Sequence, residues 1–498
     1  MSSNFLEKNY FLFYRVLLFK HIDYDLSISS RVALGVSGDV MVDQLPNLGR
    51  EKEMLEAMGM KEIADLFSDL PKEVVMDQEL PLPAPQSEEE ILHDARRLLG
   101  GNVPLEQRTS FLGAGLYQNF VPSAIFQLIT RGEFLTSYTP YQPEVSQGML
   151  QSMWEFQTLI SELVELPIAN LSMYDGSTAA AEALTTAVRV LNRKAEQKDT
   201  VYVSRLVPPD RMSVIYNYTQ GAEIKIEYIE HNQDGSINMD SLEKARGSCG
   251  IYVEYPNALG IIDEGMKQVK EIIGDVTAFI IGATPLALGL IEAPGKFGAD
   301  IVVGEGQAFG SPITGGGPIY GFFAVTKPFL RQMPGRIVGK SIDVDGNEAF
   351  CLTLSTREQH IRRQRATSNI CSNETLIALM GAMHMALLGP EGLEKLAYRN
   401  LAAMQMLKDK LSAVENISIP HGDSFHFNEF VIELPKSASS CIAELDEFGV
   451  IAGMDMAAWG LNENWLLVTC TDQTTEVDIE EFVDILSAWA NDELEVLQ

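Results

Sequence analysis

The sequence contains few cysteines, histidines and basic residues for a chain of 498 residues. Its five cysteines form no CxxC pair and its seven histidines form no HExxH motif, so we assign no metal site. Scattered cysteines of this kind are typical of free thiols in a reducing cytoplasm. The 37 Lys and Arg residues are outnumbered by 69 Asp and Glu residues, and the net charge is −32. Nucleic-acid binding requires a basic surface, so this charge argues against a nucleic-acid partner.

A long hydrophobic run is also missing near the start of the chain. The most apolar stretch there, residues 11–19, is interrupted by Arg15. It is shorter than the about 20 apolar residues that span a bilayer. It has neither an uninterrupted apolar core nor a small-residue cleavage site, which a signal peptide requires. The sequence therefore predicts a soluble, cytoplasmic protein with no membrane partner.

Residues 1–40 differ in charge from the rest of the chain. They carry four basic and four acidic residues, so the whole acidic excess lies beyond Met41. A helical pattern of apolar residues begins soon after Met41. We interpret Met41 as the natural start and residues 1–40 as a start-site extension, with a targeting presequence as the alternative.

Three further regions follow along the chain. Residues 41–110 predict a helical N-terminal segment, in which Ser87 and Glu90 form a capping box for a helix that ends at Gly100. Residues 111–348 combine an Ala-rich helix at 178–194 with apolar runs separated by helical stretches, which predicts a large, mainly parallel α/β domain. Residues 349–498 predict a smaller α+β domain. The apolar runs of the large domain are residues 200–207, 251–255, 276–281, 300–303 and 321–325.

Within the predicted C-terminal domain, one helix carries apolar residues on a single face from Leu376 to Leu387 and is expected to end at Gly389-Pro390. Residues 429–434 and 465–470 predict strands. This combination of elements is common to many enzymes, so it does not by itself indicate a function.

Several segments are too distinctive to be general features of an α/β enzyme. They are Phe111-Leu-Gly-Ala-Gly115 with Tyr117, residues 136–148 (TSYTPYQPEVSQG), residues 170–182 (NLSMYDGSTAAAE), Tyr255-Pro-Asn257, Gly315-Gly-Gly-Pro318, Met333-Pro-Gly-Arg336 and residues 356–371 (TREQHIRRQRATSNIC). Together they resemble glycine dehydrogenase (decarboxylating) subunit 1, the non-cofactor subunit of the two-subunit P-proteins of the glycine cleavage system. The resemblance runs from about residue 41 to the C-terminus.

This resemblance implies an architecture, a reaction and partners. The fold would be that of fold-type-I pyridoxal-phosphate enzymes. With a lysine-bearing subunit 2, the chain would decarboxylate glycine through pyridoxal phosphate, release CO2 and transfer the aminomethyl group to the lipoyl arm of the H-protein. The expected partners are therefore subunit 2, the lipoylated H-protein transiently, and the other glycine cleavage proteins.

The same resemblance implies that the cofactor is held by the partner subunit and not covalently by this chain. Aligning the glycine-rich turn at residues 315–318 with that of the partner subunit places Gln307 at the position of the cofactor-binding lysine. A carboxamide cannot condense with an aldehyde. The partner's pyridine-binding aspartate aligns with Ile281, and an apolar side chain cannot hold a pyridinium. We therefore expect no catalytic residue in this chain.

Other lysines and one helix start were considered as replacements. Lys244, Lys296 and Lys327 are each expected to be solvated surface residues. The Gly176-Ser-Thr178 step opens a helix whose N–H groups could hold an anion, as in the phosphate site of an active homologue. Asp175 would repel phosphate, so we favour an ordinary helix cap there. The family usually has His-Pro where this chain has Pro208-Pro209, which removes a ring that could stack on a cofactor.

The segment from Arg357 to Arg365 contains four arginines in nine residues, the densest basic region of an acidic protein. Arginine binds carboxylate and phosphate through paired hydrogen bonds, so the segment could lie at the subunit interface. A structural ion-pair network explains it equally well. The residues proposed to contribute to the interface or active site are Tyr138, Tyr141, His360, Arg362, Arg363, Thr367, Ser368 and Asn369.

Two other functions fit the same fold. An independent pyridoxal-phosphate enzyme, such as a small aminotransferase, would need the lysine and aspartate that this chain lacks. A pseudoenzyme that serves as a binding or regulatory module would keep the fold and catalyse nothing. Recovery of a lysine-bearing homologue in a pull-down would argue against that module.

Overall fold

The computed structural model describes residues 47, 49–76, 81–137, 139–370 and 374–494, and the chain divides into two compact units, Met1–Gly101 and Asn102–Gln498. The predicted start-site extension at residues 1–40 lies outside the described residues, and so does Tyr138. The domain boundaries at residues 110 and 348 stay predictions.

The first unit contains helices α1 (Glu51–Ala57) and α2 (Glu88–Leu99) and two short 3₁₀ turns, Ile63–Phe67 and Lys72–Val74. The predicted capping box of α2 is confirmed. The Glu90 N–H donates to Ser87 Oγ at 3.3 Å, and the Ser87 N–H donates to Glu90 Oε2 at 2.7 Å. Three glutamates in the first turn and two arginines in the last favour this helix through its dipole.

The second unit is built around a seven-stranded sheet with the order β2-β8-β7-β6-β5-β3-β4. Strands β3 to β7 are parallel to one another, whereas β8 is antiparallel to β7 and to β2. This confirms the predicted mainly parallel α/β fold. The strands are β1 Thr109–Ser110, β2 Ile168–Ala169, β3 Gln197–Ser204, β4 Lys225–Ile229, β5 Ser248–Tyr255, β6 Ala278–Ala283, β7 Ile301–Glu305, β8 Gly321–Val325, β9 Ile337–Ile342, β10 Glu348–Thr353, β11 Glu429–Glu433, β12 Val450–Ile451, β13 Met454–Asp455 and β14 Trp465–Thr469.

Helices cover both faces of this sheet, which is why its strands are apolar along their whole length. Side chains alternate between the faces, so Ile280 packs in one core cluster and Ile281 in the other. The remaining helices are α3 Ser123–Ile129, α4 Gly132–Leu135, α5 Gln147–Val164, α6 Gly176–Leu191, α7 Pro209–Gln220, α8 Met239–Glu243, α9 Met266–Ile273, α10 Gln359–Arg362, α11 Thr375–Leu411, α12 Ala438–Asp446 and α13 Glu476–Ala490.

Helix α11 has a kink where the sequence predicted a helix end. Gly389 has φ 60° and ψ −178°, a conformation that glycine adopts readily, and Pro390 follows it. By length and composition, α11 is the one helix of the described residues that could cross a bilayer, a criterion that core helices of soluble proteins also meet. Its Ala378 and Leu379 are buried in the main core cluster, so it serves as a core helix here.

After α11 the chain forms a small antiparallel sheet, β11-β14-β13, with α12 and α13. The strands predicted at residues 429–434 and 465–470 are confirmed as β11 and β14. Strand β1 pairs in parallel with β12, which joins the start of the second unit to its C-terminal part. This pairing brings the segment after residue 110 to the carboxyl edge of the large sheet.

Candidate functional site

A small cavity lies at the carboxyl ends of the parallel strands β3, β5, β6 and β7. Ligands of open α/β sheets bind at this edge, where the loops that follow neighbouring strands meet. The cavity has a volume of about 50 Å³, enough for a few water molecules and far below the 300 Å³ or more that is typical of ligand pockets. Its lining includes Tyr117, Arg211, Glu254, Glu305, Gln307 and Glu429.

Gln307 lies in this cavity, just after β7, and is 2% exposed. Its side-chain oxygen accepts a hydrogen bond from the Tyr117 N–H at 2.9 Å. Its side-chain nitrogen donates to the Tyr117 carbonyl at 3.0 Å and to the Ser311 carbonyl at 2.8 Å. Both amide hydrogens are therefore used in binding backbone. Gln307 is a structural link between two distant parts of the chain and offers no amine for covalent chemistry.

Glu305, two residues earlier, is directed at the start of α6. The Gly176 N–H donates to Glu305 Oε2 at 2.9 Å, and the Gln307 N–H donates to Glu305 Oε1 at 3.2 Å. Burial raises the pKa of Glu305 to about 8, and these hydrogen bonds offset only part of that effect. The predicted cap also forms, because Asp175 Oδ1 accepts from the Thr178 N–H at 2.6 Å.

A buried ion pair forms another part of the cavity wall. Arg211 Nη1 lies 2.6 Å from Glu254 Oε1, and the Tyr252 hydroxyl donates to the same carboxylate oxygen at 2.7 Å. Burial is the largest single influence and lowers the pKa of Arg211, but Glu254 and Tyr252 together outweigh it and raise that pKa above its ordinary value. Arg211 therefore stays protonated, and breaking a buried ion pair by removing one partner costs roughly 3–5 kcal/mol.

The remaining wall of the cavity contains a buried carboxyl group, that of Glu429, which accepts three hydrogen bonds. Glu429 Oε1 accepts from the Tyr117 hydroxyl at 3.0 Å, while its Oε2 accepts from Thr469 Oγ1 at 3.1 Å and the Ala114 N–H at 3.0 Å. Burial raises the pKa of Glu429. With Gln307, this group fastens the loop at residues 113–118 over the cavity.

The residues around this cavity do not fit pyridoxal phosphate. No lysine lines it among the described residues, and the start of α6 already binds a carboxyl group. Ile281, which the sequence alignment pairs with the partner's aspartate, is fully buried in the main core cluster and offers no carboxylate. The other lysines considered, Lys244, Lys296 and Lys327, are exposed as predicted.

The arginine segment separates into a buried part and an exposed part. Arg357 donates to the carbonyls of Leu354 at 3.1 Å and Gly335 at 2.9 Å, and also to that of Met333. Burial lowers the pKa of Arg357, and Glu358 partly offsets this effect. This arginine holds the segment to the loop at residues 333–335 through backbone carbonyls and not through the ion-pair network that the structural interpretation predicted.

Arg362, Arg363 and Arg365 have exposed side chains. Arg362 Nε donates to the Thr356 carbonyl at 3.0 Å, and the rest of its guanidinium lies at the surface. Arg363 has φ 53° at the end of α10, a conformation rare for residues with a side chain. These three arginines form a basic surface on an acidic molecule.

The proposed site residues fall into two neighbouring groups. In the first, buried Arg336 donates to the Tyr141 hydroxyl at 2.9 Å and to Thr139 Oγ1 at 3.0 Å. His360 packs edge-on against the Tyr141 ring, with 6.0 Å between ring centroids, and its Nδ1 lies 3.4 Å from Glu358. Arg336 also approaches Glu358, at 3.6 Å. The structure thus places Tyr141 and His360 together, next to the ion pair between Arg336 and Glu358.

In the second group, Thr367, Ser368 and Asn369 line an open groove with Arg363 beside helices α6 and α7. The groove has a volume of about 530 Å³. Ser368 Oγ donates to the buried Glu182 at 2.6 Å, so this hydroxyl is committed to a structural contact. Tyr138 falls outside the described residues.

Sequence reasoning missed the polar residues of the cavity. Arg211, Glu254, Glu305 and Glu429 were not singled out, although Glu254 and Glu305 each place a carboxyl side chain at the end of an apolar strand. A lone carboxylate at the carboxyl end of a buried parallel strand is the signal that could have identified them.

Comparisons with known proteins agree with this geometry. The family model for the glycine cleavage system P-protein matches residues 46–486. A probable glycine dehydrogenase (decarboxylating) subunit 1 from Thermococcus onnurineus is 46% identical over 397 residues, which is 79% of this chain and 87% of that protein. The protein of the same name from Oceanobacillus iheyensis is 43% identical over 445 residues, or 88% of this chain and 97% of its own length.

Solved structures agree with these relatives. An inhibitor-bound glycine decarboxylase (P-protein) of the glycine cleavage system superimposes with a TM-score of 0.77 and 38% identity, covering 89% of this chain and 99% of its own. An apo cysteine desulfurase from Thermococcus onnurineus gives a TM-score of 0.57 at 15% identity, covering 82% of this chain and 100% of its own. The second match shows the fold alone.

Proposed function

The chain belongs to the glycine cleavage system P-protein family, and we propose that it acts as the non-cofactor subunit of a two-subunit glycine dehydrogenase (decarboxylating). In the complex, glycine loses CO2 and its aminomethyl group passes to the lipoyl arm of the H-protein. Pyridoxal phosphate supplies the electron sink for this reaction, and we assign it to the lysine-bearing partner subunit. The numbering of the relatives as subunit 1 supports such a partner, and we assign the complex to the cytoplasm.

The environment of Gln307 is the observation that supports assigning the cofactor to the partner subunit. All three hydrogen bonds of its side chain go to the backbone of the same chain, and the cavity around it measures about 50 Å³. A pocket of this size and chemistry supports a structural role. The chain's contribution to catalysis must therefore come from a surface that it presents to the partner.

We assign that surface to the groups around Tyr141 and Arg363. Tyr141 is 54% exposed although its hydroxyl is held by Arg336, so its position is fixed while its ring stays accessible. The exposed Arg362 and Arg363, which follow His360 in the sequence, offer guanidinium groups for a carboxylate-bearing partner, subunit 2 or the H-protein. The role of the chain's own residues is to orient and to exclude water at the partner's site.

Co-expression with the lysine-bearing homologue tests the proposal. Exchange of labelled bicarbonate into the glycine carboxyl group should appear with the two chains together and should be at least tenfold weaker with either chain alone. The exposed Lys395 on helix α11 supplies a matched surface control, and Lys395→Ala should leave exchange unchanged. Full exchange by the lysine-bearing subunit alone would instead make this chain a binding or regulatory module.

A further inference from the structure

The start of helix α6 has the features of an anion site, yet the chain fills it with its own side chain. A helix N-terminus at the carboxyl edge of a parallel sheet presents free N–H groups and a positive dipole end, which together favour phosphate. Here the Gly176 N–H is bound by Glu305 at 2.9 Å and the Thr178 N–H by Asp175 at 2.6 Å. Two carboxyl groups from the same chain therefore take the donors that a phosphate would need.

We infer that Glu305 is a built-in replacement for a phosphate group, and that it excludes phosphorylated cofactors from this subunit independently of the missing lysine. The inference deepens the proposed function, because it names a second residue that keeps the cofactor in the partner. The position of Glu305 follows from β7, which ends at this residue and directs it across the sheet edge.

Close backbone packing holds the carboxyl group in place. A Cβ atom at Gly176 would lie 2.8 Å from the Glu305 backbone nitrogen, a distance that Cβ atoms essentially never show, and 3.1 Å from the Glu305 Cα. Only glycine lets the end of β7 come this near to the start of α6. The second oxygen of Glu305 accepts from the Gln307 N–H at 3.2 Å, so the carboxyl group is fixed from two sides.

The charge balance of the site also disfavours phosphate. Asp175 remains beside the helix start, where it would repel a phosphate dianion. Burial raises the pKa of Glu305 to about 8, so at neutral pH its carboxyl group is largely protonated. Glu305 can therefore fill the space without placing a second full negative charge next to Asp175. A phosphate would add charge at the same place and lose the hydrogen bonds that Glu305 already makes.

Phosphate binding to the full-length chain tests the inference without any measurement of glycine decarboxylation. Inorganic phosphate is titrated by calorimetry into the wild-type chain, Glu305→Ala and the isosteric control Glu305→Gln. The wild type and Glu305→Gln should show no saturable binding. Glu305→Ala should show saturable binding, with an affinity for phosphate at least tenfold above the detection limit that applies to the other two proteins. Saturable binding to the wild type, or a folded Glu305→Ala that behaves like Glu305→Gln, would overturn the inference.

A covalent readout covers the case in which Glu305→Ala does not fold. Gln307→Lys and the double variant Glu305→Ser/Gln307→Lys are treated with pyridoxal phosphate and borohydride, and the mass gain is located by peptide mapping. We expect at least tenfold more phosphopyridoxyl group on residue 307 in the double variant. Equal labelling of the two would show that Glu305 does not exclude the phosphate. Because neither assay needs the partner, failure of the decarboxylase proposal would be recognised separately from failure of this inference.

Discussion

At the scale of single residues, Glu305 couples the stability of the fold to pH. Its pKa is about 8 in the folded chain against an ordinary value of 4.5, mainly because of burial, with Arg211 and Asp175 as the charges that act on it. The folded state therefore keeps a proton that the unfolded chain loses above pH 4.5. The stability that this proton contributes is complete below that pH and is lost as pH rises towards 8.

We expect Glu305→Gln to remove this dependence, because an amide fills the same space and does not ionise. Between pH 5.5 and pH 7.5 the free energy of unfolding of the wild type should fall by about 2–3 kcal/mol relative to that of Glu305→Gln. Each unit of pH contributes roughly 1.4 kcal/mol to this change. Urea unfolding at the two pH values measures the difference. The exposed Glu447→Gln serves as a control and should show no such trend. Parallel curves for wild type and Glu305→Gln would contradict the assignment.

The chain alone should form no covalent adduct with pyridoxal phosphate. The sequence predicts that Gln307 occupies the position of the lysine, and the lysines considered as replacements, Lys244, Lys296 and Lys327, are exposed. After borohydride reduction, intact mass measurement should show no stoichiometric phosphopyridoxyl group, while the lysine-bearing subunit treated in parallel should gain one. A stoichiometric adduct on a single lysine of this chain would show that the cofactor assignment is wrong.

Sequence and structure informed different parts of this site. The alignment of Gln307 with the partner's lysine could be proposed from the sequence because a glycine-rich turn follows a few residues later. Its hydrogen bonds to Tyr117 could not, because the partner lies 190 residues away in the sequence. The same holds for Glu305 and Gly176, whose contact depends on how β7 and α6 meet and leaves no local pattern.

At the scale of elements, the arginine segment divides into a part held inward and an exposed part. The sequence left the structural and functional interpretations equally open, because four arginines in nine residues fit both. The structure divides them by position, since Arg357 turns inward to backbone carbonyls while Arg362 and Arg363 lie on the surface. The cluster is therefore neither a uniform ion-pair network nor a uniform binding surface.

Substitutions at these positions should separate stability from activity. Arg357→Ala leaves buried carbonyls without a donor and should lower the free energy of unfolding by about 1–3 kcal/mol. Arg362→Ala and Arg363→Ala should leave unfolding unchanged but reduce bicarbonate exchange in the complex tenfold or more, which corresponds to about 1.4 kcal/mol of transition-state stabilisation. Thermal unfolding of the single chain and exchange by the complex are the two measurements. If neither changes at Arg362 or Arg363, these arginines form a solvated surface with no functional contact.

The regular elements were predicted well where one strong local pattern decides the structure. The cap of α2 and the buried parallel strands of the large sheet follow from such patterns, whereas at Gly389 the sequence predicted a helix end and α11 instead continues beyond a kink. The antiparallel orientation of β8 was not predicted. Apolar runs that are buried on both faces look alike whether their neighbours run parallel or antiparallel, so strand direction requires the tertiary structure.

At the scale of the whole molecule, the match to the family begins where the acidic character begins. The family model starts at residue 46, and residues 1–40 hold none of the net negative charge. Removal of residues 1–40 should therefore leave both the melting temperature and binding to the lysine-bearing subunit unchanged. Differential scanning calorimetry and size-exclusion chromatography of the co-expressed pair provide the measurements. A drop of several degrees, or loss of the complex, would show that Met41 is not the natural start.

The three hydrogen bonds of the Gln307 side chain also limit how this chain could evolve. A lysine at this position could still donate to the carbonyls of Tyr117 and Ser311, but it would leave the Tyr117 N–H without an acceptor. It would also place an ammonium group in a small cavity whose anion position is taken by Glu305. A lysine at residue 307 would therefore destabilise the chain before it conferred any cofactor binding, so this packing opposes the evolution of an independent cofactor-bearing enzyme from this chain.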